Sequence, residues 1–188
     1  MTAHYPALGP AWDGCIGEDG SARVCRSIPD PSVPGVPRVL DGGVRVFALA
    51  NRPVTPCCCA IGAFDGVHAG HRALIAAASS DARARGVASA VVTFDPDPAR
   101  VLAPGRTGVE LLSIPDRLAM LASTGVDALV VIPFTPELAA LDYRTFLDDV
   151  LARRLGVVAA HVGTNFRMGR DGAGDVAALA AHGRAGGI

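Results

Sequence analysis

The stretch GAFDGVHAGH, residues 62–71, lies between a short apolar run and an alanine-rich run with helical spacing. This placement predicts a turn from a strand into a helix. The first backbone N–H groups of a helix have no partner within the helix and lie at the positive end of its dipole. Gly62, Gly66 and Gly70 allow a tight turn and the close approach of a ligand to the main chain. The stretch therefore predicts a site for an anion.

Two imidazoles stand at the predicted helix start. His68 and His71 are three residues apart, so they face the same side and can donate hydrogen bonds to phosphate oxygens. For an isolated match, a capped helix with surface histidines is the favoured alternative. Asp65, in the same turn, is predicted to bond its own backbone rather than a ligand.

Composition limits the classes of function. The chain has 188 residues, 50 % of them apolar, which is enough for one domain with a real core. A net charge of −1 gives no field that would attract nucleic acid or a membrane. Charges interrupt the apolar runs before the roughly twenty residues of a membrane span, and no signal peptide is evident. We expect a cytoplasmic protein with small-molecule substrates and neither nucleic-acid nor membrane partners; its oligomeric state stays open.

Three consecutive cysteines, Cys57, Cys58 and Cys59, lie on a predicted strand. Their side chains alternate between the two faces and cannot converge on one metal ion. We expect small core hydrophobes in a reducing compartment, and no residue is assigned to a metal site.

The chain divides into a leader and a domain. Residues 1–43 are rich in Pro and Gly and are predicted to be disordered or loosely ordered, whereas 44–188 form the domain. Strands are predicted at 44–50, 57–64, 88–94, 127–134 and 157–163, with the first at the domain edge. Helices are predicted at 70–85, 113–125, 142–156 and 175–182, with Asp142 and Asp175 as caps.

Alternating strands and helices indicate an α/β fold with an open parallel sheet and flanking helices. Ligands bind such sheets beyond the carboxyl ends of the strands, where the topology switches. Three unusual segments, 62–71, 95–110 and 163–175, all follow predicted strands and should gather at one edge. The second is too proline-rich for regular structure, and the third is a glycine-rich loop.

Four blocks of sequence resemble the N-terminal FMN adenylyltransferase module of the bacterial bifunctional riboflavin kinase/FAD synthetase family. They are GAFDGVHAGH, TFDPDP, LLSIPDRLAMLASTGVDALVVIPF and VGTNFRMGRDGAGD, in the order in which that family has them. The resemblance covers about residues 45–188. It implies a Rossmann-like nucleotidyltransferase fold of the HxGH type.

The resemblance also implies a reaction and a site. The reaction is adenylyl transfer from ATP to FMN, giving FAD and pyrophosphate with the help of Mg²⁺. His68 and His71 would hold the ATP phosphates, and Asn165 would lie near the reacting phosphates. The backbone of Gly62, Ala63 and Phe64, together with Gly70, would approach the nucleotide, and the flavin side would comprise Phe94, Pro96, Pro98, Leu102 and Met168. The alternatives are plain core roles for Phe94 and Leu102, and a loop role at positive φ for Asn165.

The chain departs from the family pattern at three points. Asp97 replaces a His and exchanges a donor to phosphate for an acceptor that repels it. Met168 replaces an aromatic residue. The family continues into a further strand, an I-S-S-T-x-I-R motif and a kinase domain, so we expect a fold that lacks its C-terminal end and has an unpaired sheet edge. The alternative functions are an inactive nucleotide- or flavin-binding remnant and a different HxGH nucleotidyltransferase.

Overall fold

The computed structural model describes residues 40, 43–49, 55–105, 110–186 and 188. The predicted leader, residues 1–43, lies almost entirely outside the described residues. The boundary between leader and domain therefore stays a prediction.

Five parallel strands form the main sheet, in the order β1-β4-β3-β2-β5. Their bounds are Arg45–Ala48 for β1, Cys57–Ile61 for β2, Ala88–Asp95 for β3, Ala128–Pro133 for β4 and Val157–His161 for β5. The chain steps from β2 through β3 to β4 in one direction and then places β5 on the other side of β2. The predicted open parallel α/β sheet is confirmed, and so is the edge position of the first strand.

Helices connect and cover the strands. The α-helices are α1 Ala69–Arg85, α2 Pro98–Leu102, α3 Ile114–Ala122, α4 Pro136–Ala139, α5 Tyr143–Thr145 and α6 Val176–Gly186. The predicted caps are confirmed. Asp142 caps α5, and the Asp175 carboxylate accepts a hydrogen bond from the Ala178 N–H in the first turn of α6. Ser113 caps α3.

The helix predicted from residue 142 is α-helical only in its first turn. From Phe146 to Arg154 it is a π-helix, in which the Leu155 N–H donates to the Val150 carbonyl five residues back. The buried residues of this helix form pairs four or five positions apart: Phe146, Leu147, Val150, Leu151 and Leu155. The wider π turn keeps them on one face, which the period of 3.6 residues used for the sequence prediction does not.

The sheet is covered on both faces, as a parallel sheet requires. The π-helix packs on one face in a cluster that includes Cys57 and Cys59, whereas Cys58 packs on the other face with Ala82 and Ala159. The prediction that the three cysteines alternate faces as core residues is confirmed.

Two segments predicted to lack regular structure contain some. In segment 95–110, Asp97 caps the short helix α2 by accepting from the Ala99 N–H at 2.8 Å, and Pro98 fills a first-turn position that needs no donor. In the glycine-rich loop, β6 (Arg167–Met168) pairs antiparallel with β7 (Gly174–Asp175). Positive φ angles at Gly169, Asp171 and Gly172 turn the chain back between these two strands.

Two glycines at helix ends allow a matched test of the fold. Gly86 and Gly156 have φ angles of 66° and 67°, but only at Gly156 would a Cβ collide, 2.7 Å from the Thr55 carbonyl oxygen. Gly86→Ala should lower the free energy of unfolding by about 1 kcal/mol, because a side chain is disfavoured at positive φ. Gly156→Ala should cost at least about 2 kcal/mol. Urea unfolding of the two variants measures both values, and equal losses would contradict the close approach at Gly156.

Candidate active site

A cavity of about 500 Å³ opens at the carboxyl ends of the strands and is lined by residues from all three unusual segments. The predicted convergence of these segments is confirmed. Of the residues assigned to a site from the sequence, those lining the cavity are Gly62, Ala63, Phe94, Pro98, Leu102, Asn165 and Met168.

The cavity is largely apolar. Its wall includes Phe94 and Phe134, whose rings meet edge to face with centroids 5.6 Å apart, together with Leu138, Phe146 and Phe166. Aromatic and aliphatic walls of this kind suit a large planar ring system.

Two of the open alternatives concern residues of this wall. Phe94 is 6 % exposed and belongs to both the core cluster and the cavity wall, so the two interpretations of it are compatible. Leu102 is 64 % exposed and is therefore not a core residue.

The two imidazoles stack at the start of α1, with ring centroids 3.6 Å apart and planes inclined by 18°. His68 caps the helix, since its Nδ1 accepts from the His71 N–H at 3.3 Å. A neutral imidazole that accepts at Nδ1 carries its proton at Nε2, so His68 keeps one donor for a ligand. Gly70 makes this stacking possible, because a Cβ there would lie 3.2 Å from the His68 ring.

His71 is the more enclosed of the pair. Its Nδ1 is buried without a hydrogen-bond partner among the described residues, and its ring meets the edge of Phe64 with centroids 5.1 Å apart. Burial lowers the pKa of His71 below its ordinary value, the neighbouring His68 lowers it further, and Asp65 opposes the shift. These influences favour the uncharged form of the His71 imidazole, and its unpartnered Nδ1 is open to a ligand.

The turn itself is conformationally strained. Phe64 and Val67 adopt positive φ angles of 56° and 39°, which bulky and β-branched residues rarely adopt. Both side chains are buried in the core, and this burial fixes the turn. Strain of this kind concentrates at functional sites. The sequence gives no local signal for it.

The prediction that Asp65 bonds its own backbone is wrong. Its two carboxylate oxygens accept from the N–H groups of Leu111 and Leu112, at 2.9 and 3.1 Å. These residues are distant in sequence, and only the tertiary fold brings them to the turn. Asp65 therefore joins the turn to the segment that leads into α3.

Arg117 is a residue that sequence reasoning missed. It lies on α3, is 2 % exposed, and donates from Nη1 to the Ala63 carbonyl at 2.9 Å and from Nη2 to the Phe94 carbonyl at 3.0 Å. A signal was present, because Arg117 occupies a position of the apolar stripe formed by Ile114, Leu118 and Leu121. A charged residue on a buried helix face needs partners, and these carbonyls provide them.

The remaining assigned residues lie elsewhere. His68, His71, Gly70, Phe64 and Pro96 are not among the residues that line the cavity. The Phe64 side chain is 1 % exposed, which leaves only its backbone for a ligand. Asn165, by contrast, lies on the wall, and its φ angle is not positive, which excludes the alternative of a loop residue at positive φ.

The family model described as FAD synthetase matches residues 51–188. The chain belongs to the FAD synthetase family. It is 35 % identical over 130 residues to the bifunctional riboflavin kinase/FMN adenylyltransferase of Escherichia coli K12, covering 69 % of this chain and 42 % of the relative. The protein of that name from Listeria monocytogenes is 38 % identical over 127 residues, covering 64 % of this chain and 38 % of the relative. The chain thus spans less than half the length of these relatives.

A solved structure shares the fold. The crystal structure of a macrolide-efflux protein from Streptococcus pneumoniae superposes with a TM-score of 0.59 at 22 % identity, covering 67 % of this chain and 44 % of the other. Among the described residues, no helix is both long and apolar enough to cross a membrane.

The lowered pKa of His71 leads to a prediction about pH and stability. The unfolded chain, in which the pKa of His is about 6.5, binds more protons than the folded chain as the pH falls below that value. The free energy of unfolding should therefore fall between pH 7.5 and pH 5.5, and His71→Gln should remove part of this fall. Thermal unfolding at a series of pH values measures the difference, and parallel curves for the two proteins would contradict it.

Proposed function

We propose that this chain catalyses adenylyl transfer from ATP to FMN, with FAD and pyrophosphate as products. One observation carries the proposal: the turn that bears the stacked His68 and His71 also supplies Gly62 and Ala63 to the wall of the apolar cavity. A phosphate-binding helix start thus adjoins a pocket suited to a flavin ring. Membership of the FAD synthetase family and the names of the relatives support the same reaction.

In the proposed reaction, a phosphate oxygen of FMN attacks the α-phosphorus of ATP. The bond from that phosphorus to the oxygen of pyrophosphate breaks, and pyrophosphate leaves with the electron pair. Reactions of this type depend on positioning and charge stabilisation rather than on a covalent intermediate with the protein. His68 and His71 would bind phosphate oxygens as hydrogen-bond donors, and Asn165 would orient the reacting phosphates from the wall contributed by the glycine-rich loop.

The flavin ring would occupy the apolar part of the cavity. Phe94 and Met168 offer an aromatic and a polarisable surface, and the family's usual aromatic residue at position 168 is here replaced by one that adapts its shape. Leu102, on the short helix α2, exposes most of its side chain at the cavity and would cover the ring. Asp97 has a structural role as the cap of α2, so it is not expected to contact phosphate.

The residues present also fit Mg²⁺ as an assisting ion. Within the described ranges, no three His, Cys, Asp or Glu side chains come together as a metal site. Mg²⁺ commonly uses only one or two protein ligands together with substrate phosphates and water. Asn165 and Asp171, both on the cavity wall, offer suitable oxygen atoms. When bound, the ion would neutralise part of the phosphate charge. A cytoplasmic location stays a prediction.

The two imidazoles provide the test of function. The chain incubated with FMN, ATP and Mg²⁺ should form FAD, detected by chromatography. The double variant His68→Ala/His71→Ala should lose about 100-fold or more in kcat, because it lacks the donors that position and stabilise the phosphates.

His182→Ala is the matched control, because this imidazole bonds Asp148 at 2.9 Å and is not among the residues lining the cavity. Its activity should match that of the unmodified chain. FAD formation that survives in the double variant would exclude the proposed histidine roles. Release of pyrophosphate only with an acceptor other than FMN would refute FMN as substrate. Binding of ATP or FMN without turnover would identify the chain as an inactive binding remnant.

A further inference from the structure

We propose that Arg117 is a positioning residue for adenylyl transfer. Its guanidinium group holds the turn that bears the two histidines at a fixed separation from the cavity wall proposed for the flavin. The inference rests on the proposed function. Arg117 contacts neither substrate in this account and acts through the two backbone carbonyls that it binds.

The geometry of the contact is specific to arginine. Nη1 donates to the Ala63 carbonyl at 2.9 Å and Nη2 to the Phe94 carbonyl at 3.0 Å, so each terminal nitrogen serves a different segment. Because the guanidinium is planar and rigid, it fixes the distance between its two partners. Both Ala63 and Phe94 line the cavity, on the turn and at the end of β3 respectively.

Other hydrogen bonds join the same turn to its surroundings. The Thr93 hydroxyl donates to the Ala63 carbonyl at 3.1 Å, so this oxygen accepts from two side chains that are each almost fully buried. Asp65 bonds the backbone of Leu111 and Leu112, just before the helix that carries Arg117. The turn is therefore attached at two separate points, to Arg117 on α3 and to the segment that leads into α3.

The charge of Arg117 is costly for a residue with a packing role alone. Among the ion pairs of the described residues, none includes Arg117, and its Nε is buried without a hydrogen-bond partner. Burying a charge costs free energy unless hydrogen bonds or an opposite charge compensate for it. The buried charge is explained if the two-pronged guanidinium is needed to hold the two carbonyls in place. A displacement of reacting groups by about 1 Å can cost about 100-fold in rate.

The test compares three variants. Arg117→Met removes the fork and keeps the length of the stem, and Arg117→Lys keeps the charge but offers a single nitrogen. Leu118→Ala, at the fully buried neighbour on the same helix, loosens the packing of α3 and leaves both carbonyl contacts in place. For each variant, thermal unfolding, kcat, the KM values for ATP and FMN, and the Kd for FMN from flavin fluorescence are measured.

We expect Arg117→Met to lose about 100-fold in kcat with a smaller change in either KM. The kcat of Arg117→Lys should lie within about tenfold of the kcat of Arg117→Met, because a single nitrogen cannot bind both carbonyls. Leu118→Ala should unfold at a lower temperature and keep kcat within about threefold of the unmodified chain. Equal losses of kcat in Arg117→Met and Leu118→Ala, or full activity in Arg117→Lys, would overturn the proposal. If Arg117→Met does not fold, Thr93→Val removes the other donor to Ala63 and should lower kcat about tenfold; unchanged kcat in this variant would overturn the proposal equally.

Failure of the proposed function is distinguishable from failure of this inference. An unmodified chain that binds FMN but forms no FAD refutes the reaction. In that case the Kd for FMN decides the role of Arg117, with a tenfold loss in Arg117→Met but not in Leu118→Ala as the supporting result. Equal Kd values in these two variants would count against it.

Discussion

The geometry of the site depends on the two donors that the Ala63 carbonyl accepts, the Arg117 guanidinium and the Thr93 hydroxyl. The turn that follows is strained, with positive φ at Phe64 and Val67, and it persists because both side chains are buried. These contacts determine where α1 begins and therefore where the stacked imidazoles lie. A short strand-to-helix turn becomes a rigid site only through its hydrogen bonds to Arg117 on α3 and Thr93 on β3.

The order of the strands explains why the cavity lies where it does. Since the chain moves from β2 to β4 on one side and places β5 on the other, the segments after β2 and β5 diverge at the carboxyl edge of the sheet. Such a switch point leaves a crevice in open α/β sheets. Gly62 and Ala63 come from one side of this crevice and Asn165 from the other, while Phe94 and Leu102 close it from the direction of β3.

Sequence reasoning predicted the parallel sheet, the helix caps at Asp142 and Asp175, and the convergence of three segments, because period, capping residues and loop position are local signals. It missed the π-helix, since helices were assigned with a period of 3.6 residues, and it missed α2, since segment 95–110 was predicted to be too proline-rich for regular structure. The partners of Asp65 and Arg117 lie 23 to 54 residues away in the chain, and no local pattern predicts such bonds. His71 was found from its spacing, but its buried Nδ1 required the fold.

The family membership and the cavity together explain why an apolar pocket adjoins a helix start with two stacked imidazoles. The central claim is that this cavity receives the flavin ring while the His68–His71 turn receives the ATP phosphates. A crystal structure of the chain with FMN and a non-hydrolysable ATP analogue tests it most directly. We expect the isoalloxazine ring between Phe94 and Met168, with the FMN phosphate and the α-phosphorus meeting between Ala63 and Asn165. A flavin bound outside this cavity, or a triphosphate bound away from His68 and His71, would contradict the account.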